Sequence, residues 1–181
     1  AEDGIRDYKV TGVQTCALPI YAEVFARAHR QQSLAGMGTT LTVAVTDGGH
    51  HLRLGHVGDS RAYLLRDGAL DRLTDDHSMV EELLRAGRIT AEEAAAHPQR
   101  NIVTRAIGIS PLELEVDTRR IEVEAGDRIM LCSDGLSGLA GHDELTAVLA
   151  DSSLAPAEAA TRLVDLALAH GGDDKIGRAH V

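Results

Sequence analysis

Aromatic side chains make up only 2% of the chain: one Phe, three Tyr and no Trp. A core built without them must be aliphatic, and stacking platforms for bases or sugars are not to be expected. Cysteine is nearly absent as well. Cys16 and Cys132 cannot form the framework of a disulfide-stapled secreted domain, which points to a reducing compartment, the cytoplasm. With 4 Pro and 18 Gly in 181 residues, collagenous and low-complexity chains are excluded. No apolar run approaches the roughly 18 residues needed to span a bilayer, and residues 1–20 lack the basic start and apolar core of a secretory signal. Lysine is confined to Lys9 and Lys175, and arginine supplies the rest of the 18 basic side chains. Against 28 acidic residues they leave a formal charge of −10, a surface that repels a phosphate backbone, so no nucleic-acid partner is expected.

What is present suits one soluble domain: 44% hydrophobic and 25% charged residues, enough to bury a real core. The ends differ in character from the middle, which is rich in Ala, Arg, Leu, Gly and Asp. Residues 7–20, DYKVTGVQTCALPI, share neither that bias nor any clear period, and neither does the tail 175–181, KIGRAHV. Residues 1–20 therefore read as a non-native leader, adapter-like over 7–20, and 175–181 as a non-native tail. The folded domain is expected over 21–174.

Within it, Ala, Val and Phe at helical spacing predict an amphipathic helix over 21–34. Alternating segments 39–46 and 51–57 around Asp47-Gly48-Gly49 predict a hairpin, and 61–65 and 69–73 around Arg66-Asp67-Gly68 predict another. Together they suggest a four-stranded antiparallel meander. Ser78 with Glu81, and Thr90 with Glu93, form two capping-box patterns ahead of short helices. Strands are predicted over 113–124 and 128–132, and helices over 143–149 and 156–170, the last with Pro156 in its first turn. Strands flanked by helices make the class α+β.

Three carboxylates recur in one setting, at a strand end or beside small residues: Asp59 in HVGDSR, Asp134 in CSDG and Asp174 after Gly171-Gly172-Asp173. Rigidly held carboxylates beside glycine suit an oxygen-ligated Mg²⁺ or Mn²⁺, although any one of them alone reads better as an Asx turn. Other patterns carry less. The nine histidines include no HExxH and no Cys-His ligand spacing, so zinc is not expected. Cys132 ends an apolar strand and reads as a core residue, and Ser133 and Ser137 have no GxSxG context. The run Gly36-Met37-Gly38-Thr39-Thr40 leads into a strand without a P-loop lysine and reads as a flexible lead-in. Asp75-Asp76-His77 precedes a helix and reads as part of its capping.

Taken in order, GMGTT at 36–40, HVGDSRAYLLRDG at 56–68, LTDDHS at 73–78, HPQRNIVTRAIG at 97–108, DRIMLCSDGL at 127–136 and GGDD at 171–174 resemble the metal-dependent protein phosphatases of the PP2C (PPM) family, bacterial type. The resemblance spans roughly 21–174. It implies a four-layer α-β-β-α sandwich of antiparallel sheets, here incomplete at both ends. It implies hydrolysis of phosphoserine and phosphothreonine in proteins by a metal-activated water, with two core Mn²⁺ or Mg²⁺ ions and a possible third. Asp134 and Asp174 match ligands of the core pair, and Asp59 matches the ligand of a third ion that Asp134 would share. Residues 77–100 match a mobile flap, and Arg61 and Arg105 fall at recurring positions of structural character. Phosphorylated proteins, including a serine/threonine kinase, are the implied partners of a monomeric enzyme. The family's opening strand pair and DGMGGH-like segment have no counterpart here, so this chain is expected to be impaired. Two other readings are a non-catalytic relative that binds a phosphoprotein or kinase, and a partner-switching regulatory phosphatase.

Overall fold

The computed structural model describes residues 19–46, 48, 50–109 and 115–172. They fall into two compact units. One comprises the chain up to Gly58 with Asp76–Val123, the other Asp59–Asp75 with the chain from Glu124.

In the first unit, β1 (Leu41–Thr46), β2 (His51–Val57) and β5 (Asp117–Glu122) form an antiparallel sheet in the order β1-β2-β5. β1 is a run of alternating β-branched residues, as a pleated strand favours. Leu41 pairs with Val57 and Thr46 with Leu52, while His51 pairs with Glu122 and His56 with Asp117. Alternation along β2 buries Leu52, Leu54 and His56 on one face. On the other, Val57 joins Ile107 and Val116, with Leu41 and with Tyr21 and Val24 of helix α1, which occupies 19–30. The predicted helix over 21–34 is thus shorter, and a 3-10 turn at Gln32–Leu34 follows it.

In the lead-in expected to be flexible, Gly36 has open space around it, but from Gly38 on the segment is tightly packed, which corrects that reading there. Thr39 and Ile107 exchange both backbone hydrogen bonds, at 3.0 and 2.8 Å. A Cβ on Gly38 would stand 3.0 Å from the Ile107 carbonyl oxygen, and one on Gly108, at φ +90°, 2.8 Å from that of Met37. Helices α2 (Met79–Arg85) and α3 (Ala91–Ala95) bury none of their residues. Ser78 Oγ accepts from the Glu81 amide at 3.3 Å, one half of a capping box, whereas Thr90 and Glu93 complete theirs.

The second unit is built on β3 (Arg61–Arg66), β4 (Ala69–Arg72) and β6 (Arg128–Cys132), in the order β4-β3-β6. Asp67 and Gly68 both have positive φ, 51° and 80°, the geometry of the tight turn that Asp-Gly favours between twisted strands. One face of the sheet carries Tyr63, Leu65, Leu70, Met130 and Cys132. They pack against Leu136 of α4 (Asp134–Ser137), Leu145 and Leu149 of α5 (His142–Ala150), and Leu163 and Ala167 of α6 (Pro156–Ala169). Ala159, Leu163 and Ala167 recur every fourth residue and are fully buried, so α6 turns one stripe to the core. Arg66 grips Asp127 through two parallel bonds, Nε to Oδ1 at 2.9 Å and Nη2 to Oδ2 at 2.6 Å.

The four-stranded meander does not form. The first hairpin recruits β5 and the second β6, and β2 and β3 belong to different sheets. The reason is local: β2 ends its ladder at Val57, and Gly58 follows at φ +112°, so the chain leaves the sheet instead of folding back on it.

Two outcomes follow from this packing. Leu163→Ala leaves a hole in a fully buried stripe and should lower unfolding free energy by about 2–5 kcal/mol in urea titration. The hydrogen bond from Arg66 outweighs burial and holds the Asp127 carboxyl below its ordinary value. Its contribution is therefore complete above about pH 4, the range where the carboxyl titrates in the unfolded chain, and fades as pH falls through the lower folded value. Thermal unfolding of the native chain and Asp127→Asn should differ by a constant margin above that pH and converge below it.

A candidate divalent-cation site

Asp59 follows Gly58 at the exit from β2 and precedes β3, and Asp134 follows β6 as the first residue of α4. The register of β3 with β6 fixes their relation. Arg61 pairs with Cys132, so the residue two before Arg61 and the residue two after Cys132 leave the strand pair at the same end. Asp59 is half-buried and Asp134 exposed. Immediately before Asp134, Ser133 Oγ is the one buried side-chain oxygen among the described residues without a hydrogen-bond partner. The structure thus places two of the three predicted carboxylates at the same end of one strand pair. Asp174 lies outside the described residues.

The donors fit a hard cation, since both are carboxylates, and Mg²⁺ commonly binds through one or two carboxylates and keeps the rest of its shell as water. They do not suffice for two ions. Among the described residues no three His, Cys, Asp or Glu side chains are grouped to hold a metal. Cys132 is buried in the core of its unit.

A second polar cluster, which the sequence did not announce, lies in the first unit. His77 is buried and takes no part in capping α2, a correction to the reading of Asp75-Asp76-His77; Ser78 is the cap. The Gly58 amide donates to His77 Nδ1 at 3.0 Å, and the His77 amide donates back to the Gly58 carbonyl at 2.8 Å. His77 Nε2 meets Asp117 Oδ2 at 3.0 Å, and Arg105 Nη1 donates to Asp117 Oδ1 at 3.1 Å. The His56 ring lies over that of His77, centroids 4.9 Å apart, and its Nδ1 is 2.9 Å from Thr42 Oγ1. Burial pushes the Asp117 carboxyl up, but its bonds to His77 and Arg105 outweigh this and hold it below the ordinary value. These residues come from five separate stretches of chain, so no spacing rule could have grouped them. The one sequence signal is a histidine directly before a capping serine. Arg61 has a bracing role, reaching the Ser137 carbonyl at 3.4 Å.

Two carboxylates at the end of a strand pair in an α+β fold offer oxygen donors of the kind a divalent cation takes. The chain belongs to the protein phosphatase 2C family, whose model matches residues 6–169, a span that starts upstream of Tyr21. It is 44% identical over 153 residues to the serine/threonine protein phosphatase PstP of Mycobacterium tuberculosis, covering 84% of this chain and 29% of that protein. The structure of the S. agalactiae serine/threonine phosphatase superposes with a TM-score of 0.84 at 33% identity, covering 99% of this chain and 71% of that one. The PstP catalytic domain in complex with two manganese ions superposes at 0.75 with 40% identity, covering 86% and 63%. This chain therefore spans less than a third of the curated M. tuberculosis relative.

Gly58 is the residue on which the site's backbone turns. A Cβ there would overlap the Thr40 side chain, and φ is +112°. Gly58→Ala should destabilise the fold by more than about 1 kcal/mol and broaden the NMR signals of Asp59 and its neighbours, whereas Gly48→Ala, where nothing stands within 4 Å, should show only the smaller backbone cost.

Proposed function

We propose that the protein to which this chain belongs hydrolyses phosphoserine and phosphothreonine in other proteins, using Mn²⁺ or Mg²⁺. The observation that carries the reading is the placement of Asp59 and Asp134 at one end of the β3–β6 pair within a family whose relative PstP has been seen with two manganese ions. In this reading Asp134 and Asp174 are ligands of a core pair of ions, and Asp59 with Asp134 holds a third. A bound divalent ion would lower the pKa of water and offset the charge of the phosphoryl group.

The chain's own residues do the holding. Asp59 and Asp134 offer oxygens from backbone set by β3 and β6, and the Asp134 carbonyl also accepts from the Gly138 amide at 2.7 Å, tightening the turn that carries the carboxylate. The substrates are phosphorylated proteins, among them a serine/threonine kinase, met in the cytoplasm by a monomeric phosphatase. Among the described residues no helix is long and apolar enough to cross a membrane. A purely binding relative is the weaker reading, because a phosphoprotein adaptor has no use for carboxylates gathered at one strand end.

The sequence contains no DGMGGH-like segment, so the 181-residue chain should turn over little phosphothreonine peptide even in millimolar Mn²⁺. A hybrid in which the opening segment of the M. tuberculosis relative is joined ahead of Tyr21 should show manganese-dependent turnover that Asp134→Asn takes to background. A folded hybrid without turnover, or turnover indifferent to Asp134→Asn, would overturn the proposal.

A further inference from the structure

We infer that His77 is a positioning residue for Asp59: its buried imidazole and backbone clamp Gly58 on both sides and so fix where the next carboxylate can stand. This rests on the reading of Asp59 as a cation ligand.

The contacts define the ring's state. An imidazole that accepts an amide proton at Nδ1 and still lies 3.0 Å from a carboxylate at Nε2 is the neutral tautomer with its proton on Nε2, donating to Asp117. Arg105 holds the other Asp117 oxygen at 3.1 Å, which keeps the carboxylate ionised and turned toward the ring. The His77 carbonyl accepts from the Thr104 amide at 2.8 Å, so the residue is anchored on every polar atom. Its side chain is fully buried, and the His56 ring, tilted 38° to it, lies against one side.

Gly58 needs such an anchor. It has just left the β2 ladder, and its positive φ and its contact with Thr40 leave no room for a side chain that could pack and hold it. Its amide and its carbonyl are both buried, and His77 satisfies both. A core histidine with only a packing role would not need to engage the same residue through ring and backbone together. Partners that orient a metal ligand commonly alter metal affinity when removed, without touching the ion themselves.

The test separates the two ends of the ring. In His77→Asn, Oδ1 falls near the place of Nδ1 and can still accept from the Gly58 amide. In His77→Gln, Nε2 falls near the place of the ring Nε2 and can still donate to Asp117, but the acceptor for Gly58 is gone. Mn²⁺ affinity of the whole chain is read by electron paramagnetic resonance of the free ion, amide exchange at Gly58 by NMR, and global stability in urea. His77→Gln should lose Gly58 protection and about tenfold in Mn²⁺ affinity, while His77→Asn stays close to the native chain in both. Should His77→Gln not fold, Asp117→Leu, which strips the acceptor from Nε2–H, should lower both quantities, and Asp117→Asn, which keeps one, should not. Equal effects of Asn and Gln, or affinity losses that merely follow urea stability, would overturn the clamp. Mn²⁺ binding unaffected by Asp59→Asn would overturn the assignment of Asp59 itself. That would count against the proposed third-ion site as well, whereas a failed clamp alone would leave the site standing.

Discussion

At Gly58 the chain must leave one sheet before it can start another, and backbone groups between two ladders have no strand to pair with. Buried amides and carbonyls without partners are costly, so the crossing is only as stable as the partner found for it. Here that partner is one residue, His77, which returns to Gly58 from nineteen positions further along the sequence. Sheet membership, the burial of His77 and the start of β3 all depend on this pairing. Because Asp59 is the next residue, the chemistry depends on it too. A longer crossing loop would have relaxed the demand and released the carboxylate.

The charge distribution follows a related logic. With a net charge of −10, gathering acids in one place is costly unless cations stand among them. Arginines in the fold hold acidic partners, with Glu124 also 3.5 Å from Arg66 and Glu115 3.5 Å from Arg105. Arg66 takes Asp127, and Arg105 takes Asp117. Asp59 and Asp134 stand at the end of β3 and β6. Carboxylates locked to arginines are poor metal ligands, since their lone pairs are already engaged.

Much of this was legible in the residues, for reasons that differ from element to element. The Asp67-Gly68 turn, the β6 strand and the Pro156 helix are written in local chemistry: positive φ, an apolar run and a missing N–H at a first turn. The capping of α3 was equally plain. The meander was not, because alternation tells which residues form strands and not which strands pair. Two hairpins in a row look alike whether they share a sheet or part at a glycine. The flexible reading of the 36–40 segment missed the packing at Gly38 for a similar reason: glycine marks a close approach as readily as a loose one, and Gly36 beside it is open. Asp59 and Asp134 could be picked out as strand-end acids, yet their placement at one end of a strand pair rests on the β3–β6 register, which is a long-range fact.

His77 shows where local reading runs out. Beside a capping serine, a histidine has an obvious surface role, and hydropathy gives no reason to bury it. What buries it is the demand of Gly58 on one side and of Asp117 on the other, and each of those demands arises in a distant segment. A neutral imidazole is one of few side chains that can accept at one end and donate at the other across a fixed span, while filling the space between with an apolar ring. Serine or threonine is too short to reach both partners, and lysine or arginine can only donate. The choice of histidine therefore follows from geometry once the Gly58 turn and the Asp117–Arg105 pair are in place. The order of dependence then runs from the crossing between sheets, to the residue that satisfies it, to the carboxylate it holds.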